Sequence, residues 1–262
     1  MIIKNIALAG HAGTGKTTLL EALLYQGGCV ERMGSVAAGT TVSDAAPEEI
    51  KRHSSVYTAS IMLDGQKINL LDTPGMFDFA GGMVQGISAA DCVMITVSGK
   101  SGVRVGTKKA YRAAEGKPRM FVVTKLDDEN ANFYNVLTEL KSAFGPSVCP
   151  VVVPVIADRK VDSYINLIEM KAYRYDEDGK AQEIPMPTSE VSEKLSYRVD
   201  GLIQAFSEAI AETDEELFEK FFSGEEFTQK ERVDGIHKGM RDGTITPVAC
   251  VSAQMLEGVD LL

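Results

Sequence analysis

The sequence predicts an α/β fold: a doubly wound, mostly parallel sheet into which a smaller α+β unit is inserted. Three observations predict it. The chain opens on a strand, a glycine-rich loop and a helix. Strand-length apolar runs then alternate with helical patterns as far as about Ala157. After that the pattern changes, and a last buried-strand run returns at Thr246 to Ser252.

With 262 residues the chain can form one large domain or two smaller ones, and its apolar content is ample for a core. Cys29, Cys92, Cys149 and Cys250 stand far apart without a C-x-x-C pair, which argues for a reducing cytoplasm and against a disulfide or metal framework. Cys92 and Cys250 lie in apolar runs and read as small buried hydrophobes. A formal charge of −10 argues against nonspecific nucleic-acid binding. Met1 leads directly into a strand, so no signal peptide is expected, and the apolar runs are too short to span a bilayer.

The first element is the strand containing Ile2, Ile3, Ile6, Ala7, Leu8 and Ala9. It runs into Gly10-His11-Ala12-Gly13-Thr14-Gly15-Lys16-Thr17, which fits G-x-x-x-x-G-K-[ST], the phosphate-binding loop (P-loop) of nucleoside triphosphatases. Thr18 to Tyr25 follows as a helix with Leu19, Leu20, Leu23 and Leu24 on one face. Strand, loop and helix together form the context that the motif needs. Glycines let backbone N–H groups converge on phosphate oxygens, and the helix adds its positive end. Lys16 would reach the β- and γ-phosphates, and the Thr17 hydroxyl would face Mg²⁺. His11 within this loop reads as a holder of loop geometry in preference to a proton carrier.

Gly27 to Ile50 has no apolar period and reads as a long, mobile loop, the kind that is functional or disordered in a compact domain. Val56 to Leu63, Asp64-Gly65 and Lys67 to Leu71 read as a hairpin leading into Asp72-Thr73-Pro74-Gly75. Strands follow at Asp91 to Val97 and Arg119 to Thr124, with a helix between them from about Val103 to Glu115. Phe133, Leu137, Leu140 and Phe144 mark another helix, stopped by Gly145-Pro146, and Val148 to Ile156 is the next β-branched run.

The acidic insertion, residues 158–246, begins with Tyr164 to Tyr175, the Asp176–Gly179 turn and Lys180 to Ile184, read as a hairpin. Three helices are expected after it. The first carries Leu195, Val199, Leu202, Phe206 and Ile210 on one face, and the others open on the capping-box patterns Thr213-x-x-Glu216 and Thr228-x-x-Glu231. Residues 1–157 and 247–262 form the enclosing domain.

Three short motifs complete a constellation. Asp72-Thr73-Pro74-Gly75 follows a strand, where Asp72 would hold Mg²⁺ through a water and the Gly75 N–H would sense the γ-phosphate. Thr124-Lys125-Leu126-Asp127 resembles the guanine-reading [NT]-K-x-D. A carboxylate at Asp127 accepts from both N1–H and the 2-amino group of guanine, whereas adenine leaves it unmatched. Sites of that type discriminate by factors on the order of 10⁴ or more. Lys125 would lie along the base with its stem, and Ser252-Ala253-Gln254 resembles the S-A-[KLQ] element that lends a backbone N–H to guanine O6. Each tetrapeptide alone is a weak signal, but their order and their positions after apolar strands favour GTP over an ATPase or nucleotide-kinase reading.

These motifs, with Glu49-Ile50-Lys51-Arg52, Ile168-Glu169-Met170-Lys171-Ala172, Ala211 to Leu217 and Pro247 to Ala253, resemble the N-terminal part of elongation factor G, and more closely its elongation-factor-G-like paralogues. The resemblance covers nearly the whole chain, and it likens the insertion to that family's G′ subdomain. It implies GTP/GDP and Mg²⁺ as ligands and GTP hydrolysis, with Lys16 and Gly75 as the catalytic positions. It also implies docking at the ribosome's large-subunit GTPase-activating region, a stalk-protein contact through the insertion, and a domain that is itself monomeric. Triphosphate would order the Gly34–Val56 and Pro74–Gly86 loops. Met76 stands where the family has its water-orienting histidine, and Thr124 replaces an asparagine. Arg52-His53-Ser54-Ser55-Val56 replaces R-G-I-T-I, with Ser55 the expected Mg²⁺-facing hydroxyl and Ser54 the alternative. Glu257 to Leu262 reads as the opening of a helix leading to further domains. Arg104, Lys108, Lys109, Arg112, Lys117 and Arg119 form one basic cluster, read as a solvated helix face.

Overall fold

The computed structural model describes residues 4–63, 68–158, 160–187, 190–192 and 197–262. Ile2 and Ile3 of the first strand, the Asp64-Gly65 turn and Leu195 lie outside the described residues. The enclosing domain runs β1 (Lys4–Gly10), α1 (Lys16–Gln26), α2 (Pro47–Arg52), β2 (Ala59–Leu63), β3 (Ile68–Asp72), α3 (Ala80–Ala89), β4 (Cys92–Ser98), α4 (Val105–Ala113), β5 (Arg119–Thr124), α5 (Phe133–Phe144) and β6 (Val148–Pro150). The inserted part has β7 (Val152–Ala157), β8 (Lys160–Asn166), β9 (Lys171–Tyr175), β10 (Ala181–Ile184), β11 (Glu190–Ser192), β12 (Tyr197–Arg198), α6 (Val199–Ala211), α7 (Glu215–Phe222) and α8 (Gln229–Asp242). Strand β13 (Thr246–Cys250) returns to the first sheet.

That sheet has the order β2-β3-β1-β4-β5-β13-β6, and only β2 is antiparallel to its neighbour. Because side chains alternate along a strand, Leu8 of β1 packs with Leu19, Leu20 and Leu24 of α1 on one face. Ala7 and Ala9 join Ile87 of α3, Ala110 of α4 and Leu137 of α5 on the other. The expected doubly wound arrangement is therefore present, and it sends the carboxyl ends of β1, β3, β4, β5 and β13 to one edge. Ligands of open α/β sheets sit at that edge.

The structure corrects several local expectations. The run from Val148 to Ile156 is two strands, with β6 in the parallel sheet and β7 heading the antiparallel sheet β10-β9-β8-β7. Tyr164 to Tyr175 is itself a hairpin. Asn166 Oδ1 accepts the amides of Ile168 and Glu169, and Met170 turns through the left-handed region at φ 57°. Asp214 caps α7 by accepting the Glu216 amide at 3.0 Å, so Thr213 is not the cap; its hydroxyl donates back to the Ile210 carbonyl. Thr228 and Glu231 do form their capping box. The end of the stretch expected to be a mobile loop, residues 47–50, instead opens α2, with Pro47 in its first turn and Glu49 reaching back to the Ala46 amide. The last residues make a single 3₁₀ turn at Val259–Leu261.

Candidate functional site

Gly10 ends β1 at φ 142°, where a Cβ would stand 2.6 Å from the Thr96 carbonyl oxygen, so this position tolerates only glycine. Gly13 and Gly15 are also at positive φ and shape the loop that feeds α1. Thr14 braces the loop from within. Its hydroxyl donates to the His11 carbonyl at 2.8 Å and pairs with that of Thr96 at 2.6 Å. The Thr124 hydroxyl donates to the Thr14 carbonyl at 2.6 Å, tying the end of β5 to the phosphate loop. Lys16 is 6% exposed, and its ammonium donates to the His11 carbonyl at 3.0 Å. Burial pushes this ammonium down, while the carboxylates of Asp72 and Asp44 oppose that shift.

One pocket of about 190 Å³ collects Ala12, Gly13, Gly15, Lys16, Thr17, Thr18, Ser54, Ser55 and Gly75 from three separate stretches. Beside it, fully buried Asp72 accepts from Thr17 Oγ1 at 2.7 Å and Ser43 Oγ at 3.0 Å, both through Oδ2. Ser55 Oγ lies 3.2 Å from Thr17 Oγ1. Burial pushes the Asp72 carboxyl up to about 6, against the Thr17 hydrogen bond and the Lys16 charge. Its Oδ1 is buried and has no hydrogen-bond partner. An orphaned carboxylate oxygen among hydroxyls is a hard-oxygen donor set that fits Mg²⁺. Ser55 is buried at this corner while Ser54 is half-buried.

A neighbouring cleft of about 520 Å³ is lined by Gly15, Thr18, Thr124, Lys125, Asp127, Ala253 and Gln254. Lys125 takes the left-handed region at φ 60°, and its Cε passes 3.8 Å from where a Gly15 Cβ would be. Its stem thus lies over the phosphate loop. Asp127 Oδ1 accepts the Ser252 hydroxyl at 2.8 Å. Motifs 125 residues apart in sequence meet here because β5 and β13 are adjacent and parallel.

Thr73 is buried away from both pockets, its hydroxyl donating to the Leu8 carbonyl at 2.7 Å, and neither Pro74 nor Met76 lines them. Met76 is 37% exposed. His11 also stands outside the pockets. Its ring lies 5.6 Å from that of Phe77, which also meets the Lys109 ammonium at 4.4 Å from its centre. Burial, then the charges of Lys16 and Arg104, hold the His11 imidazole below its usual range. Lys117 and Arg119 of the basic cluster are engaged with the Ala90 and Tyr111 carbonyls.

Sequence reasoning missed Ser43 and Asp44. Both are buried, and Asp44 lines the pocket that holds Lys16 and Thr17. It also missed Glu21 and Glu49, two buried carboxylates that accept backbone amides of the long loop and of the approach to β2. The available signal was a glutamate inside the apolar face of α1.

Comparison with known proteins decides which nucleotide this edge serves. The family described as elongation factor Tu GTP binding domain matches residues 1–262. The chain belongs to that family. Elongation factor G-like proteins of Mycobacterium tuberculosis (strain H37Rv) and Thermotoga maritima (strain MSB8) are each 34% identical to it, over 252 and 264 residues. The first alignment covers 94% of this chain and 34% of that protein, the second 99% and 36%. A crystal structure of a Thermus thermophilus protein superposes with a TM-score of 0.88 at 40% identity, over 99% of this chain and 39% of that one. The chain therefore spans about a third of the length of these relatives. It is a GTPase domain of elongation-factor-G-like type, and a guanine nucleotide is the ligand that the family assigns to it. Among the described residues no helix is long and apolar enough to cross a membrane.

Proposed function

We propose that this domain binds GTP with Mg²⁺ and hydrolyses it, slowly alone and faster on the ribosome. The observation that carries this reading is the meeting of two recognition devices at one sheet edge. Lys16, Thr17 and Asp72 stand at the phosphate end, and Asp127, held by Ser252, stands at the base end. Bound Mg²⁺ supplies charge neutralisation to the phosphates, and Thr17, Ser55 and Asp72 are the residues that would hold it. Lys16 would bind the β- and γ-phosphates, and the backbone N–H of Gly75 would meet the γ-phosphate. Asp127 would select guanine, with Lys125 along the base and the Ala253–Gln254 backbone at O6.

The likeness to elongation factor G-like proteins supports the large-subunit GTPase-activating region as the docking partner and the cytoplasm as the compartment. The acidic insertion supports a stalk-protein contact, and the domain itself is proposed to be monomeric. We divide the chain into residues 1–157 with 247–262 and an insertion of 158–246; sheet membership supports an outgoing boundary nearer Val151. Calorimetry with GDP, GTP and ADP under Mg²⁺ tests the reading. ADP bound as tightly as GDP would overturn it.

Met76 favours a second reading, a GTP-dependent binding switch with little hydrolysis. A thioether neither accepts a proton from water nor orients it. Single-turnover hydrolysis with and without ribosomes separates the two readings, because ribosome-stimulated turnover removes the switch-only alternative.

A further inference from the structure

We propose that Tyr164 and Glu257 are positioning residues for guanine recognition, through which the inserted sheet sets the Asp127 carboxylate. This rests on the reading of Asp127 as the acceptor of guanine's N1–H and 2-amino groups.

The path runs through hydrogen bonds of ordinary length linked by the backbones of Glu257 and Ser252. Tyr164 on β8 is 1% exposed, and its hydroxyl donates to Glu257 Oε2 at 3.0 Å. Its ring fits there because residue 258 is glycine. At φ 72°, a Cβ on Gly258 would lie 2.9 Å from the Cys250 carbonyl oxygen and 3.4 Å from the tyrosine ring. Glu257 and Ser252 then exchange both backbone hydrogen bonds, at 3.0 and 3.1 Å, closing the loop between them. Ser252 completes the path with its hydroxyl on Asp127 Oδ1 at 2.8 Å. Two side contacts clamp the same loop: Tyr175 donates to Asp260 at 2.6 Å, and Gln26 donates to the Leu256 carbonyl at 3.1 Å.

Electrostatics adds an independent reason. Glu257 is pushed up by burial and by the negative charge of Asp127, and the Tyr164 hydrogen bond acts against both. The phenol therefore favours an ionised Glu257 near the base-reading carboxylate. A second negative charge there favours a base edge carrying two N–H donors. Tyrosine suits this role because its donor is neutral and its ring is fixed by burial.

The test compares the unmodified chain with Tyr164→Phe, Glu257→Gln and the double variant. Affinities for GDP, ADP and inosine diphosphate, which lacks the 2-amino group, are measured by calorimetry at fixed Mg²⁺, with thermal unfolding as the control for folding. Each single variant is expected to lower the preference for GDP over inosine diphosphate by about three- to tenfold, and the double variant no further than the larger single effect, because the two residues act in series. Equal losses for both nucleotides, an unchanged ratio, or additive losses overturn the proposal. Glu257→Gln preserves shape, so it remains informative if Tyr164→Phe does not fold. If the unmodified chain does not prefer GDP to ADP, the reading of Asp127 fails and takes this proposal with it. If that preference stands and the variants match the parent, only the proposal falls.

Discussion

Glu21 Oε1 accepts the backbone amide of Val42 at 2.6 Å, so a carboxylate buried in the first helix holds the loop that lends Val36 and Asp44 to the pocket around Lys16. Its other oxygen takes the Gly34 amide at 3.0 Å. Hydrogen bonds to a buried charge are individually strong, and each amide left without an acceptor costs its desolvation as well. Glu21→Gln retains the volume but places an NH₂ against an amide donor. It is expected to cost about 1–3 kcal/mol in urea unfolding, with faster hydrogen exchange at Gly34 and Val42 than elsewhere in the loop. Unchanged exchange at those two amides would show that the loop is held by other contacts.

Gly75 is a second point where one atom matters. A Cβ there would lie 2.5 Å from Lys16 Nζ and 2.9 Å from the Ala12 backbone, so the Asp72–Gly75 turn sits directly on the phosphate loop. Gly75→Ala must push the two apart. Overpacking of this kind costs about 1–3 kcal/mol, and under the proposed reading, in which the Gly75 N–H would meet the γ-phosphate, the loss should fall on GTP. Titration with GTP and GDP is expected to show GTP weakened on the order of tenfold or more and GDP little changed.

The first half of the site was legible because its chemistry is local. The phosphate loop needs glycines at fixed offsets, and Gly10 and Gly15, the two that the motif demands, both take positive φ, as does Gly13 between them. Asp72 and Asp127 were legible because one ends a buried strand and the other lies just beyond one, and parallel strands deliver their carboxyl ends to one edge. What sequence could not show depends on distant partners. Ser43, Asp44 and Glu49 lie in or beside a stretch with no periodicity, and their burial follows from contacts with Asp72, Ser55 and the backbone near β2. The division of 148–156 between two sheets was hidden for the same reason. Both halves are apolar and mostly buried, with no turn residues between them, and the pairing partner tells them apart.

The capping box of α8 makes a pH-dependent prediction. Glu231 is held down at about 2 by the Lys220 ammonium first and then by the amide and hydroxyl of Thr228. A carboxylate lowered on folding contributes stability above its unfolded value near 4.5, and the contribution drains away as pH falls toward 2. Glu231→Gln keeps an acceptor for the Thr228 amide but loses the charge and the Lys220 ion pair, so it should be less stable than the parent at pH 7 by about 0.5–1 kcal/mol, and the gap should narrow through that acid window. Urea midpoints at pH 7 and pH 3 measure it. A gap independent of pH would mean that shape, not charge, holds the cap.

The choice between a hydrolase and a passive switch turns on Met76. It precedes the Phe77–Phe79 turn, and half-exposed Phe77 packs against the His11 ring and the Lys109 ammonium. The backbone that carries residue 76 is thus anchored on both sides, by Gly75 against Ala12 and by Phe77 against His11. A histidine placed there would start from a fixed backbone and offer water a proton acceptor, a contribution typically on the order of 10²–10⁴. Met76→His is therefore expected to raise single-turnover GTP hydrolysis by at least about tenfold with nucleotide affinity unchanged, because Met76 lines neither pocket. A change below about threefold would mean that another group positions the water, or that the ribosome supplies it. Comparing the two chains with ribosomes present then decides which, since a ribosome-supplied group would accelerate both equally.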